Sequence, residues 1–164
     1  MPRLSAGILL YRITDEQIVE VLLVHPGGPF WSKRDDGSWS IPKGEHESSE
    51  DPWKVARREF AEELGSPPPS SEGIDLGEVR QASGKRVHAW AVEGGFDASH
   101  VHSNTFTMEW PPHSGTNQEF PEVDRASWFT VAQARRKLVP GQVLLLGKLA
   151  EHLGASRDGL DASA

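Results

Sequence analysis

The sequence predicts an α/β fold from three observations: short runs of branched apolar residues that read as strands, one sharply delimited amphipathic helix, and two further helical segments that close the chain after more strands. Its 164 residues suit a single domain with one site to look for.

Residues 4–11 and 18–24 are apolar and rich in branched side chains, with the turn-prone Thr14-Asp15-Glu16 between them, so they are expected to form a hairpin. Residues 25–37 read as a loop by their glycines and prolines. This loop carries Phe30, Trp31, Lys33 and Arg34, which either reach a substrate or, for the aromatics, tuck against the core. Trp39-Ser40-Ile41 is a short extended piece before Pro42-Lys43-Gly44.

Asp51 then supplies a helix cap and Pro52 a first-turn residue. The helix runs to Leu64, where Gly65 and Pro67-Pro68-Pro69 stop it, because proline neither donates a backbone hydrogen bond nor tolerates a helical residue before it. Strands are expected at residues 76–81, 86–92, 105–110 and 126–129, and helices at 131–138 and 141–153. There is no internal repeat. The domain spans residues 1–153, and the small, polar residues 154–164 are expected to be a disordered tail.

The formal net charge of -7, from 24 acidic and 17 basic residues, argues against nonspecific attraction to nucleic acid or an anionic membrane. A polyanionic substrate would need a local positive charge, which a bound cation can supply. With no cysteine there is no disulfide, thiolate zinc site or cysteine nucleophile. The first residues lack a signal-peptide hydrophobic region, and the apolar runs, such as residues 143–146, are too short to span a bilayer. The expectation is a soluble, cytoplasmic monomer or homodimer. The seven histidines are scattered and form no metal signature.

At about 100° per residue, Trp53, Ala56, Phe60 and Leu64 fall on one arc of the central helix and Glu59, Glu62 and Glu63 on the adjoining one. One side can be buried while three carboxylates project beside it. Carboxylates this close repel one another unless solvent screens them or a cation sits among them. Clustered oxygen ligands are what magnesium or manganese prefers, although an acidic helical run is otherwise simply a solvated face.

The wider spacing adds to this. The chain reads Gly44, five residues, Glu50, seven residues, Arg58-Glu59-Phe60, one residue, Glu62-Glu63, one residue, Gly65. This resembles the Nudix box, G-x5-E-x7-R-E-U-x-E-E-x-G-U with U apolar, and departs from it only at the last position, which is Ser66. The order of strands and helices is also similar to the family's α/β/α sandwich with a mixed central sheet, and residues 120–129 look like its usual penultimate strand. The resemblance, to MutT-like Nudix hydrolases, implies magnesium or manganese held by Glu59, Glu62 and Glu63, helped by a backbone carbonyl near Lys43 or Gly44. It further implies that Arg58 orients Glu59 by a charge-assisted hydrogen bond, and that Glu50 braces the unit or holds an outer-shell water. For Arg58 and Glu50, plain structural pairing is the competing reading.

Such an enzyme hydrolyses a phosphoanhydride: the metal activates a water and neutralises charge on the phosphate oxygens. The general base is either Glu59 or a later glutamate, Glu119 or Glu122, which otherwise read as surface residues. Lys43 and Arg34 are candidates to hold phosphates, Lys43 the better placed. Pro42-Lys43-Gly44 resembles Nudix enzymes acting on diadenosine polyphosphates, whereas hydrolases of oxidised nucleoside triphosphates carry a glycine pair before the lysine. Those polyphosphate enzymes commonly have a tyrosine just downstream of the box, and the only tyrosine here is Tyr11. Base stacking therefore falls to Trp31, Trp90 or Phe106, unless these belong to the core. ADP-ribose, nucleotide sugars and oxidised triphosphates are alternative substrates, and a noncatalytic nucleotide sensor is the alternative of another class, against which the intact glutamate set argues.

Overall fold

The computed structural model describes residues 3–154. Along the chain run β1 (Leu4–Ile13), β2 (Val19–Pro26), β3 (Lys43–His46), α1 (Pro52–Leu64), β4 (Ile74–Arg80), β5 (Arg86–Glu93), β6 (Thr105–Glu109), β7 (Asn117–Pro121), β8 (Val123–Thr130), α2 (Val131–Lys137), a 3-10 turn (Pro140–Gln142) and α3 (Leu144–Leu153). The expected tail falls, but for Gly154, outside the described residues.

The sheet is mixed and six-stranded. β1 pairs along its length with β5 in parallel, and its opposite edge is shared by two antiparallel strands. β2 takes the end of β1, pairing Tyr11 with Val21 and Ile13 with Val19, as the expected hairpin. β3 takes the beginning, pairing Leu4 with His46 and Gly7 with Lys43. β2 then leaves β1 and pairs with β8, from Glu20 opposite Thr130 to His25 opposite Arg125. The divergence of β2 from β3 opens the sheet beside Lys43. Residues 39–41 lie in that opening, held by reciprocal hydrogen bonds between the Val24 and Ser40 backbones at 2.8 and 3.0 Å.

Because alternate strand residues face opposite sides, β1 feeds two cores. Ala6, Ile8 and Leu10 pack with Val55, Ala56, Phe60 and Leu64 of α1. Leu9 and Tyr11 pack with Val131, Ala134 and Leu138 and with Leu145, Leu146 and Leu149 of α3. This gives an α/β/α sandwich. Burying a side chain such as Phe60 or Leu64 stabilises the fold by about 1.5–3 kcal/mol, so both faces of β1 are energetically committed.

Residues 43–46 form a strand, because Gly7 allows Pro42 and Lys43 close to β1. Three expectations are corrected. The strand expected at 105–110 does not join the central sheet; it pairs with β7, which the sequence reading missed, in a separate two-stranded arm. Residues 120–129 are accordingly two strands, broken at Glu122, whose N–H bonds to Asn104 O at 2.8 Å. The last helix begins at Leu144, after a 3-10 turn led by Pro140. Among the described residues no helix is long and apolar enough to cross a membrane.

Candidate active site

α1 is fixed at both ends by the residues that predicted it. The Asp51 side chain accepts from Trp53 N at 3.1 Å, and Gly65, at φ 89°, takes the left-handed turn that disfavours side chains while its N–H bonds to Ala61 O at 2.8 Å. With Phe60 and Leu64 locked into the core, Glu59, Glu62 and Glu63 are held along the edge of the helix facing β3.

There the chain forms a cleft of about 370 Å³ whose walls include Lys43, Gly44, Glu59, Glu62, Glu63 and Glu122. A Cβ built on Gly44 would overlap the Glu59 carboxylate, so glycine is required for this approach. Lys43 N–H points to Glu63 Oε1 at 3.4 Å. Glu122, though distant in sequence, stands on the facing wall through a backbone relay: Asn104 N–H bonds to Glu62 O at 3.0 Å, and Glu122 N–H bonds to Asn104 O.

The electrostatics are those of crowded like charges. Burial pushes the Glu63 carboxyl up to about 8, with Lys43 opposing the rise and Glu59 adding to it. Burial also raises Glu59, and the adjacent Glu62 charge raises it further. Burial holds the Lys43 ammonium below the ordinary lysine range, helped by repulsion from Lys85.

Arg58 lies 3.6 Å from Glu50 and from Glu59 and 3.8 Å from Glu62. These are exposed ion-pair distances, so the expected hydrogen bond from Arg58 to Glu59 is corrected to a looser pairing. In the turn before α1, Glu50 accepts from Glu47 N at 2.9 Å, and that bond, with Arg58, keeps its carboxyl below the usual range.

Trp90, Glu119, Arg34, Trp31 and Phe106, also expected at the site, do not line this cleft. Trp90 is 8% exposed, packed against Trp53 with centroids 5.3 Å apart and stacked on His88 at 4.0 Å, which makes it part of the core under α1 and not a stacking platform. Glu119 lies on β7 opposite Thr107, exposed and away from the glutamates. Arg34 sits in the exposed loop with its guanidinium 5.5 Å over Trp31. Trp31 itself borders an adjoining cleft of about 280 Å³, which shares Lys43, Glu63 and Glu122 with the first and lies in the opening between β2 and β3. Phe106 packs over Gly28.

Ser5, Glu45, Lys85 and Asn104 also line the first cleft and were missed. The one available signal was Ser5, a polar residue inside an apolar strand run. The others arrive by strand pairing and turns.

A divalent ion can be tested against these donors. The set is all oxygen, and the repulsion that lifts Glu59 and Glu63 is what a hard cation would relieve. Among the described residues, however, no three histidine or acidic groups already form a cage. The donor chemistry fits; the side chains must still converge.

The family model for the NUDIX domain matches residues 1–147, and the chain belongs to that family. It is a pyrophosphohydrolase of the Nudix class, with the glutamates of the family's box assembled on α1. Among solved structures, the Ap4A hydrolase of C. elegans in a binary complex is similar at 22% identity and TM-score 0.60, covering 91% of this chain and 97% of that one. The NUDIX domain of Shewanella oneidensis NrtR complexed with ADP ribose is similar at 18% identity and TM-score 0.60, covering 93% and 89%. The MutT protein of Methanosarcina mazei Go1 is similar at 18% identity and TM-score 0.59, covering 93% and 96%. At these identities the likeness is one of fold. No match was found among curated protein sequences.

Proposed function

We propose that the chain cleaves a dinucleoside polyphosphate, such as diadenosine tetraphosphate, using magnesium bound by Glu59, Glu62, Glu63 and the Gly44 carbonyl. The observation that carries this reading is the single cleft in which these carboxylates face Lys43, with Gly44 in contact with Glu59. When bound, magnesium would supply charge neutralisation and a more acidic water.

The chain's own residues divide the remaining work. Lys43 addresses the phosphates as a point charge. Glu122, exposed on the facing wall, is placed to take the proton of the attacking water, while Glu63 and Glu59 are committed to the cation. The adjoining cleft, edged by Trp31, offers room for a nucleoside. Pro42-Lys43-Gly44 supports a polyphosphate over an oxidised triphosphate.

Chromatography of the products of diadenosine tetraphosphate in oxygen-18 water tests this. Asymmetric cleavage to ATP and AMP, with label in one product, is expected. Symmetric ADP, or better specificity for ADP-ribose or oxidised deoxyguanosine triphosphate, would overturn the substrate while leaving the glutamate chemistry standing.

A further inference from the structure

We propose that Gln81 selects the nucleobase in the cleft edged by Trp31, donating from its amide NH2 to the O6 acceptor of a 6-oxopurine, and that the buried Gln142 sets its orientation. This rests on the reading of that cleft as the nucleoside site and names the base it takes.

The orientation starts from a backbone donor. Ile41 is fully buried, so its N–H needs an acceptor, and it finds Gln142 Oε1 at 3.0 Å. A backbone nitrogen cannot accept, which leaves the Gln142 carboxamide one orientation. Its NH2 end then donates to Ser40 Oγ at 3.0 Å and to Gln81 Oε1 at 3.1 Å. Gln142 is itself fully buried, and turning it over would set its NH2 against the Ile41 N–H and leave that donor unpaired. Gln81 must therefore give its oxygen to Gln142, and the NH2 is the end it has left for the cleft that it lines.

The backbone holds Gln81 in place as well. It closes the β4–β5 turn, with its N–H bonded to Lys85 O at 2.9 Å and its carbonyl accepting from Gly84 N at 2.8 Å. The 3-10 turn presses against it: a Cβ built on Gly141 would stand 2.5 Å from Gln81 Cα. Glycine at 141 lets that turn come near enough for the two glutamines to meet.

This cleft shares Lys43, Glu63 and Glu122 with the one that holds the glutamates, so a nucleotide with its phosphates at Lys43 can place its base here. Ser38 and Ser40 give their protons to Asp35 O and Ile41 O, so neither hydroxyl competes with Gln81 as a donor. A free carboxamide reads adenine with both ends, its oxygen taking N6–H and its nitrogen giving to N7. Here the oxygen is already taken. The remaining N–H groups match guanine or hypoxanthine, whose O6 and N7 are adjacent acceptors, whereas adenine sets an amino donor in the place of O6.

The test is calorimetric titration of GMP, IMP and AMP, none of which has an anhydride to cleave, into wild type, Gln81→Met, Gln81→Glu and Gln142→Met, with melting curves for each. Wild type should bind GMP and IMP at least about tenfold more tightly than AMP. Gln81→Met should remove that preference by weakening GMP and IMP, with AMP changed less than about threefold. Gln81→Glu keeps an oxygen for Gln142 but offers the cleft an acceptor, so AMP should become the preferred ligand. Gln142→Met frees the Gln81 amide to turn, and should narrow the preference by tightening AMP, which a merely structural glutamine would not do. Equal binding of the three nucleotides by wild type, no measurable binding of any, or a Gln81→Met variant that weakens all three alike overturns the assignment. Dinucleoside tetraphosphates left uncleaved by a wild type that still prefers GMP would instead sink the hydrolase reading alone.

Discussion

Gly44 and Glu59 are in such close contact that no side chain at position 44 can coexist with the present position of the Glu59 carboxylate. The atoms a Cβ would meet are at the flexible end of Glu59, so the clash is relieved by moving that carboxylate and not by unfolding. Gly44→Ala should therefore cost less than about 1 kcal/mol of stability yet lower kcat by at least about tenfold, since small misplacement of a reacting group is expensive. Thermal melts and steady-state kinetics on one preparation check this; unchanged kcat would show that the Glu59 position is not used.

Burial makes Glu63 a pH-dependent element of the metal-free protein. Its carboxyl is raised from 4.5 to about 8, so between those values the folded state keeps a proton that the unfolded state has lost. Stability in chelator should consequently fall as pH rises through this window, and Glu63→Gln should flatten the dependence. Magnesium requires the ionised form, so its stabilising effect should be larger at pH 8.5 than at 6. Melting curves in chelator and in millimolar magnesium at both pH values decide it, and a magnesium shift that shrinks as pH rises would speak against carboxylate ligation.

The two late glutamates are predicted to differ. Glu122 lines both clefts, whereas Glu119 lies on the exposed arm. Glu122→Gln should lower kcat by about 100-fold or more, and Glu119→Gln should stay within about twofold. Equal effects would remove Glu122 from proton transfer.

Trp90 is expected to matter to stability alone. Its replacement by alanine should cost about 3–5 kcal/mol, the range for a buried aromatic, and leave KM for the nucleotide within about twofold in the folded fraction. A selective rise in KM with little change in melting would return Trp90 to the substrate.

The fold was legible where local chemistry and periodicity agreed. α1 was bounded by Asp51, Pro52 and Gly65, all of which act as caps or stops, and its apolar arc became the core contact of Phe60 and Leu64. β7 was invisible because Asn117–Pro121 is exposed and mostly polar, so it carries no burial pattern to read. The site followed the same division. Glu59, Glu62 and Glu63 share one helix and could be read together, but Lys85 and Ser5 reach the cleft through a turn and the pairing of β1 with β3 and β5, contacts between residues far apart in sequence. Trp90 misled because an aromatic on a strand looks alike whether its partner is a base or Trp53.

If Glu59 and its neighbours hold a cation that drives phosphoanhydride hydrolysis, diadenosine tetraphosphate turnover by wild type and Glu59→Gln, each in magnesium and in chelator, with melting curves confirming both fold, shows it most directly. Wild type should turn over in magnesium only, with the rate reduced at least about a hundredfold in the variant. Equal turnover by the two proteins in magnesium, or undiminished wild-type turnover in chelator, would contradict it.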